Sequence, residues 1–536
     1  MGTVEVGGTP ADVWARLRDD WLCVGVGETQ FDADGQFEGN DCREIRDREV
    51  GAESVGDRLL EQVEKRRDQL VHYAEKCGVD TPSALMVLVA ESDPVDFLSG
   101  VWAALLEGWT LSLANPRWGI QEWQSAKNIL HPTLLWHTST SFDAAQGIPK
   151  FDAAQDISQR LNTPAILIPT GGSSGQIKFA HHTWQTLVTA VVGFHHHFLP
   201  CQSPIYAYCV LPLHHVSGFL QVLRTALTNG QLFLTCFKPL LIHRSSFTVH
   251  PSSFISLVPT QLDRLLRAGR APWLSTFHTI LLGGAPLWPD LLARALSHQL
   301  PLCFSYGMTE TAAMVSATDP QQTFIPGDRE LGSGHAMPHA VIQIESDQQP
   351  VAVGEIGQVV VRSGAIAHGY YGMSSACFAP NTFYTDDLGY LDTDGTLHIT
   401  GRASSKIISG GENIFPAEVE SALRSTGQVT DVCVIGLAHP DWGEAVSAVY
   451  VPKDASVSAE SLKAALVEVS ETEGSALLSR YKVPKYWFSV TRLPRNAQGK
   501  LNRSALRAQL ETLSNSSAQE QVAGGGESED RCTDDA

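Results

Sequence analysis

A glycine- and serine-rich loop directly after a buried strand constrains this sequence most. Residues 165–168 (AILI) are an apolar run typical of a buried strand, and the loop follows at residues 169–178 (PTGGSSGQIK). Beyond it, apolar side chains recur at helical spacing from Leu187 to Phe194. A strand, such a loop and a helix can hold phosphate, because backbone N–H groups and hydroxyls converge on the anion and Lys178 adds charge. A surface loop without a ligand is the alternative at this point.

Size and composition exclude several classes of protein. A chain of 536 residues is too long for one core, so we expect more than one domain. The net charge of −20 argues against a nucleic-acid partner. No apolar run approaches the ~18–20 residues that a membrane span needs. The ten cysteines are scattered without a C-x-x-C pair, which predicts reduced thiols and a cytoplasmic location.

The first 330 residues carry the pattern of an α/β domain. The apolar run 85–90, a helix beginning near Asp93 and the apolar run 109–113 predict a β-α-β unit with parallel strands. Several later strands end in glycine-rich or polar loops, and ligands bind at those carboxyl ends in parallel sheets. We predict these strands at residues 206–213, 254–258, 279–282 and 302–306.

The second half of the chain changes character. Residues 332–401 alternate in short runs, with a hairpin turn at Asp394, which predicts a small antiparallel β unit. An α+β pattern follows from Lys406. The polar stretch 137–160, which contains FDAAQ twice, is interpreted as a loop insertion. The predicted domains are 1–401, a hinge at 402–405, a small domain at 406–512 and a disordered acidic tail at 513–536.

Four separated stretches resemble one family in order and spacing. They are residues 170–178 (TGGSSGQIK), 305–310 (SYGMTE), 384–395 (YTDDLGYLDTDG) with Gly401-Arg402, and 494–500 (PRNAQGK). This pattern is similar to that of the AMP-forming acyl-CoA synthetases of the adenylate-forming superfamily. Within it, residues 211–218 (LPLHHVSG), Arg224 and residues 408–416 (ISGGENIFP) most resemble the 2-succinylbenzoate–CoA ligases.

The resemblance implies a fold and a two-step reaction. The fold is α/β: a large N-terminal domain of parallel-sheet subdomains and a small antiparallel β unit, followed by a small mobile α+β domain. A carboxylate attacks the α-phosphate of ATP to give acyl-AMP and pyrophosphate, and the thiol of coenzyme A then displaces AMP. Mg²⁺, ATP and coenzyme A are therefore expected beside a small carboxylic acid. Rotation of the small domain about Ser404 or Ser405 would separate the steps.

The family pattern also implies a role for each matching residue. Lys178 and the loop would hold the β- and γ-phosphates, Glu310 with the Thr309 hydroxyl would hold Mg²⁺, and Lys500 would bridge carboxylate and α-phosphate. The implied ATP and AMP ligands are Thr170, Gly171, Gly172, Ser173, Ser174, Gly175, Gly283, Gly284, Ala285, Ser305, Tyr306, Gly307, Asp387 and Arg402. The implied acyl pocket contains His215 and Arg224, and the implied coenzyme A tunnel contains Ser409, Gly410 and Gly411.

Each residue also has a plainer interpretation. Outside the family pattern, Glu310 would be a helix-start acid, Asp387 a turn residue, Lys500 a surface lysine and Arg224 a surface helix arginine. The enzyme alternatives are a fatty or aryl acyl-CoA ligase and a free-standing amino-acid adenylating enzyme. A non-catalytic nucleotide-binding scaffold is the alternative of a different class. The sequence specifies neither the oligomeric state nor whether the quinone made is menaquinone or phylloquinone.

Overall fold

The computed structural model describes most of the chain. The described residues are 8–17, 21–24, 55–79, 81–137, 163–171, 177–199, 203–242, 249–284, 287, 289–319, 332–409, 412–439, 442–467, 478–495, 501, 503, 505–507 and 510. The predicted acidic tail and nearly all of the 137–160 insertion lie outside these ranges.

The described elements of the first 300 residues are a mixture of strands and helices, and those after that are mainly strands. The strands are β1 (Leu22–Val24), β2 (Met86–Ala90), β3 (Thr110–Leu113), β4 (Leu134–His137), β5 (Ile166–Gly171), β6 (Ile177–His182), β7 (Tyr206–Cys209), β8 (Gln231–Leu234), β9 (Ser253–Leu257), β10 (Thr279–Leu282), β11 (Leu302–Met308), β12 (Ala313–Ala317), β13 (His335–Ala336), β14 (Ala340–Ser346), β15 (Gln349–Pro350), β16 (Gly357–Ser363), β17 (Phe378–Ala379), β18 (Thr382–Leu391), β19 (Leu397–Arg402), β20 (Ile407–Ser409), β21 (Glu412–Ile414), β22 (Val429–His439), β23 (Gly443–Pro452) and β24 (Tyr486–Ser489). The α-helices are α1 (Pro10–Arg16), α2 (Val55–Cys77), α3 (Pro94–Leu106), α4 (Ile120–Leu130), α5 (Trp184–Phe198), α6 (Val216–Leu227), α7 (Phe237–Ile242), α8 (Pro259–Arg267), α9 (Ala271–Leu274), α10 (Pro289–Ser297), α11 (Pro416–Ser425) and α12 (Ala459–Val467).

The predicted β-α-β unit is confirmed as part of a five-stranded sheet of order β4-β2-β3-β5-β6. Strands β2 and β3 are parallel, and every residue of both is buried. Helix α3 connects them, and the Asp93 side chain caps its first turn by accepting from the N–H groups of Val95 and Asp96. Continuous apolar runs therefore became strands covered on both faces, as in other parallel sheets.

The prediction of a strand, a loop and then a helix at the glycine-rich loop was wrong in one respect. The loop leads into a second strand, β6, which pairs antiparallel with β5, and helix α5 begins only at Trp184. Residues 177–182 (IKFAHH) do not show a clean strand pattern, since a lysine and two histidines interrupt it. Lys178, which was predicted just beyond the loop, consequently lies on this additional strand.

An eight-stranded sheet of order β1-β8-β7-β9-β10-β11-β12-β13 supplies the other strand ends. Its strands run parallel from β1 to β11, and β12 and β13 continue it antiparallel. The loops after β10 and β11 lie at neighbouring carboxyl ends, where ligands bind in sheets of this kind. The predicted antiparallel β unit is also confirmed: β15-β14-β16-β18-β17 form one sheet, with β19 paired to β18.

The chain divides into two compact units, Met1–Thr400 and Gly401–Ala536. In the second unit β21, β20, β23 and β22 form an antiparallel sheet, and β24 pairs parallel with β23. Helices α11 and α12 pack on it through buried apolar residues such as Leu423 and Leu466. The candidate hinge residues Ser404 and Ser405 end a 3₁₀ turn after β19, and a hinge there stays a prediction. No described helix is both long and apolar enough to span a membrane.

Candidate active site

The predicted phosphate loop begins and ends in paired strands. Thr170 and Gly171 close β5, and Lys178 on β6 is the register partner of Thr170. The Lys178 Nζ lies 4.8 Å from the centre of the Tyr370 ring, a cation–π contact. The predicted phosphate ligands between the strands lie outside the described residues: Gly172, Ser173, Ser174 and Gly175.

A tight turn after β11 carries the predicted metal ligands. It is a 3₁₀ turn, Thr309–Thr311, in which the Thr311 hydroxyl oxygen accepts from the Met308 N–H at 3.0 Å. The Glu310 side chain lies in the interior, with Glu310 only 7% exposed, and its Oε1 accepts a hydrogen bond from the Tyr370 hydroxyl at 2.8 Å. This described partner is a neutral phenol, so the hydrogen bond brings no opposite charge to the carboxyl group.

The Glu310 turn fits Mg²⁺. Mg²⁺ is a hard cation that proteins usually hold through one or two carboxylates together with substrate phosphates and water. Glu310 supplies one carboxylate, and the Thr309 hydroxyl belongs to the same turn. The described part of the chain contains no group of three or more His, Cys, Asp or Glu side chains that could hold a metal ion. A metal at Glu310 would therefore need phosphate oxygens or water as further ligands.

A buried histidine joins this turn to strand β6. The His182 Nε2 lies 2.8 Å from the Thr309 carbonyl oxygen, and its Nδ1 lies 3.0 Å from the Thr186 hydroxyl. Burial is the main cause that lowers the pKa of His182 to about 4, so the ring is neutral near pH 7. A carbonyl can only accept, so Nε2 carries the hydrogen and donates a hydrogen bond to the Thr309 carbonyl oxygen.

The strand ends predicted for the adenine lie side by side. The Ser305 hydroxyl donates to the Leu282 carbonyl at 3.1 Å, which joins the end of β11 to the end of β10. Gly284, in the loop after β10, has a φ of +80°, which favours glycine. An added Cβ at Gly283 would lie 3.2 Å from the Ser305 hydroxyl oxygen. The third predicted residue of this loop, Ala285, lies outside the described residues.

Asp387 on β18, the predicted ligand of the ribose, is hydrogen-bonded directly to Tyr306 on β11. The Tyr306 hydroxyl donates to Asp387 Oδ2 at 2.8 Å, and Asp387 is 7% exposed. Asp387 therefore lies in the interior of the unit on β18 and not in a surface turn. Gly307 next to Tyr306 has to be glycine, because an added Cβ would lie 1.7 Å from the Ala313 carbonyl oxygen on β12.

Arg224 on helix α6 is buried, contrary to its interpretation as a surface arginine. It is 5% exposed, its Cζ lies 3.8 Å from the centre of the Phe194 ring, and its Nη2 lies 3.8 Å from Met314 Sδ. Its Nε has no hydrogen-bond partner among the described residues. Burial lowers the pKa of Arg224 to about 9, which leaves the guanidinium charged at neutral pH. The described surroundings thus offer this cation an aromatic ring and a sulfur atom.

Three histidines lie near or before this helix. His214 and His215 precede α6 with ring centres 4.4 Å apart, and His215 occupies the N-cap position. Burial and then the neighbouring His215 lower the pKa of His214 to about 3. Burial, followed by the charge of Arg224, lowers the pKa of His339 to about 4. The rings of His214 and His339 are thus neutral at pH 7, whereas the Arg224 guanidinium carries a charge.

The predicted residues of the second unit are only partly described. Arg402 ends β19, and Ser409 on β20 is buried and pairs with Glu412 and Gly443. The other predicted residues of this unit lie outside the described ranges: Gly410, Gly411 and Lys500.

The second unit also presents an aromatic surface that the sequence did not single out. The Trp442 patch consists of His439, Trp442, Lys485 and Tyr486. Trp442 and Tyr486 are 38% and 42% exposed. The rings of His439 and Trp442 stack with centres 4.4 Å apart, and the Lys485 Nζ lies 3.6 Å from the Trp442 ring centre.

Comparisons with known proteins identify the family. Residues 96–371 match the AMP-binding enzyme family, and residues 418–500 match the AMP-binding enzyme C-terminal domain. The chain belongs to the AMP-binding, adenylate-forming enzymes. It is 33% identical over 357 residues to 2-succinylbenzoate–CoA ligase of Bacillus velezensis, covering 65% of this chain and 69% of that protein. The same ligase of Geobacillus kaustophilus is 32% identical over 381 residues, covering 68% and 73%.

Solved structures agree with this AMP-binding enzyme in fold. The o-succinylbenzoate CoA synthetase (MenE) of Bacillus subtilis in complex with the acyl-adenylate intermediate OSB-AMP superposes with a TM-score of 0.69 at 26% identity, covering 84% of this chain and 92% of that one. Its complex with ATP and magnesium ion gives the same TM-score. ATP-bound MatB from Rhodopseudomonas palustris shares the fold, with a TM-score of 0.67, 21% identity and coverage of 84% and 93%. The predicted family, fold class and enzyme class, an AMP-forming acid–CoA ligase, are confirmed.

The structure of this AMP-binding enzyme joins several predicted residues and adds others. Contacts through Tyr370 connect Lys178 with Glu310, and a direct bond connects Tyr306 with Asp387. Sequence reasoning missed Tyr370, His182, His339 and the Trp442 patch. No local pattern marks the first three, since each matters through contacts with distant parts of the chain.

Proposed function

We propose that this AMP-binding enzyme activates 2-succinylbenzoate and transfers it to coenzyme A. The observation that supports this substrate is the buried Arg224 guanidinium, which has no described carboxylate partner. An unpaired buried charge is costly, so it favours a ligand that brings the opposite charge. 2-Succinylbenzoate has two carboxylates. One reacts with ATP, and the other can accept charge-assisted hydrogen bonds from Arg224. The named relatives act on the same acid.

In the proposed first step the acid carboxylate attacks the α-phosphate of ATP, the bond to the β-phosphate breaks, and acyl-AMP and pyrophosphate form. Two anions repel, so the step depends on positive charge and donors placed around the phosphates. Lys178 would contact the β- and γ-phosphates, Glu310 and Thr309 would hold Mg²⁺ on phosphate oxygens, and Asp387 would accept from the ribose hydroxyls. Lys500 would supply a further charge at the reacting carboxylate and α-phosphate.

In the proposed second step the thiol sulfur of coenzyme A forms a thioester with the acyl carbon, and AMP leaves with the bonding electron pair. The thiol proton goes to solvent or to the departing phosphate. Ser409, with Gly410 and Gly411, would leave room for the pantetheine arm. The Trp442 patch suits the nucleotide end of coenzyme A, because an exposed indole stacks on a purine and Lys485 can approach phosphate.

The substrate is tested by ATP–pyrophosphate exchange with one acid at a time. 2-Succinylbenzoate, benzoate, laurate and the amino acids are supplied with Mg²⁺ and labelled pyrophosphate. We expect exchange with 2-succinylbenzoate at a kcat/KM at least ten times that with benzoate, since benzoate lacks the carboxylate that Arg224 would bind. Exchange with laurate or an amino acid alone would replace the proposed substrate by a fatty acid or an amino acid.

Replacing Trp442 with alanine is expected to raise the KM for coenzyme A about tenfold, because stacking on an aromatic side chain contributes about 1–3 kcal/mol per base. Pyrophosphate exchange should be unchanged, since it does not involve coenzyme A. The control is Trp442→Phe, which keeps a ring and should recover most of the affinity. Equal KM values for coenzyme A in the alanine variant and the parent enzyme would exclude the patch as the nucleotide site.

A further inference from the structure

The short segment 367–371, which lies between β16 and β17, is hydrogen-bonded both to strand β6 and to the turn that carries Glu310. In residues 367–371 the His368 N–H donates to the His181 carbonyl at 2.8 Å, and the Tyr371 N–H donates to the Phe179 carbonyl at 2.9 Å. The Ala367 N–H donates to the Glu310 carbonyl at 2.9 Å. The backbone of this segment is therefore fixed relative to both groups that are expected to face the phosphates.

The Tyr370 side chain makes one contact to each of those groups. Its hydroxyl donates to Glu310 Oε1 at 2.8 Å, and its ring lies under the Lys178 Nζ at 4.8 Å. The ring also packs against Phe378 in an edge-to-face arrangement, with ring centres 5.1 Å apart. These packing contacts restrict the ring, so the hydroxyl is held at one place beside the carboxylate.

This arrangement determines how Glu310 presents its charge. A phenol hydroxyl is neutral at working pH and can donate only one hydrogen bond. It restrains one oxygen of the carboxylate and leaves the other oxygen to a cation. His182 restrains the backbone of the same turn through the Thr309 carbonyl, so the turn is held at its main chain and at its side chain.

We propose that Tyr370 is a positioning residue for the adenylation step, which orients the Glu310 carboxylate toward the metal and keeps Lys178 at a set distance from it. The inference rests on the proposed function, because it assumes ATP, Mg²⁺ and an acid at this site. It predicts that the hydroxyl and the ring have separable effects. The hydroxyl acts on the metal requirement, and the ring acts also on Lys178.

The test compares Tyr370→Phe and Tyr370→Leu with the parent enzyme. Mg²⁺ is titrated in the pyrophosphate exchange assay with 2-succinylbenzoate at fixed ATP. Tyr370→Phe removes one hydrogen bond to a charged group, so the half-saturating Mg²⁺ concentration should rise roughly tenfold. Its KM for pyrophosphate in the exchange should stay within about twofold, because the ring under Lys178 remains. Tyr370→Leu should raise both values.

Two further measurements separate positioning from a general structural effect. Thioester formation from preformed acyl-adenylate and coenzyme A needs no Mg²⁺-bound pyrophosphate, so its rate in Tyr370→Phe should equal that of the parent. Tyr371→Phe is the control, since its neighbouring phenol has no described bond to Glu310, and its Mg²⁺ dependence should be unchanged. An unchanged Mg²⁺ requirement in Tyr370→Phe, or an equal loss in both half-reactions, would overturn the proposal. Absence of exchange with every acid in the parent enzyme would instead contradict the proposed function.

Discussion

Replacing Arg224 with methionine is expected to lower kcat/KM for 2-succinylbenzoate by about 10²- to 10³-fold, because the proposed buried charge pair with the second carboxylate would lose one partner. The KM for ATP should not change. Benzoate has no second carboxylate, so its kcat/KM should fall by much less or rise. Steady-state pyrophosphate release with both acids measures the effect. Arg224→Lys keeps the charge but loses the planar guanidinium. Its kcat/KM for 2-succinylbenzoate should lie between that of the parent enzyme and that of Arg224→Met.

The same substitution is expected to stabilise the free enzyme. Burial lowers the pKa of Arg224 to about 9 in the folded protein, so folding with a charged guanidinium carries a cost at every pH below that value. The cost declines only as the pH rises above about 9. Methionine has a similar length and no charge, and the free energy of unfolding should rise by about 1 kcal/mol or more, after the loss of the contact to the Phe194 ring.

Calorimetry of both proteins without ligand tests this second part, and the thermal midpoint should rise by about 2 °C or more. A variant with a much lower kcat/KM for the dicarboxylate but a higher thermal midpoint would show that Arg224 serves ligand binding and not the stability of the fold. A much lower thermal midpoint would make the guanidinium a structural element. Unchanged kcat and KM for 2-succinylbenzoate would show that Arg224 does not bind the substrate.

Replacing Glu310 with glutamine is expected to lower the rate of pyrophosphate exchange by about 10²- to 10³-fold. Glutamine has the same shape and can still accept from the Tyr370 hydroxyl, but it lacks the charge that a hard cation needs. Thioester formation from preformed acyl-adenylate should proceed at the parent rate. Rapid quench of each half-reaction separates the two steps.

Glu310→Asp is the matched variant for this experiment. It keeps the charge on a shorter side chain, so partial activity that improves at high Mg²⁺ concentration is expected. Full exchange activity in Glu310→Gln would rule out the carboxylate as the metal ligand. Equal losses in both half-reactions would point to damage of the turn as a whole.

Much of the fold could be predicted because local patterns and tertiary structure agree. Asp93 with Pro94 marks a helix start in the sequence, and the side chain caps that helix in the structure. The apolar runs on either side became parallel strands. Strand β6 could not be predicted in this way, because Lys178, His181 and His182 interrupt its apolar pattern. Its strand conformation comes from pairing with β5 and with residues 368–371.

The residues of the candidate site differ in the same way in whether the sequence could predict them. Lys178, Glu310 and Asp387 could be found because each lies in a short motif that the family shares. Tyr370 and His182 could not, since the first acts on a residue 60 positions away and the second on one 127 positions away. Such contacts depend on how strands from different parts of the chain come together. The burial of Arg224 likewise follows from packing of α6 and not from its neighbours in sequence.

The hairpin formed by β5 and β6 has a consequence for how a triphosphate would be neutralised at the proposed site. In nucleotide sites where the loop opens directly into a helix, the helix macrodipole contributes about half a positive charge at its N-terminus. Here the chain after the loop is an antiparallel strand, whose peptide dipoles largely cancel along its length, and helix α5 begins only at Trp184. In the proposed function, compensation of the phosphate charge would therefore rely more on discrete cations, the ammonium of Lys178 and the metal at Glu310. The metal is exchangeable, so we expect the activity of the site to depend on the Mg²⁺ concentration, whereas the charge of a helix terminus would be permanent.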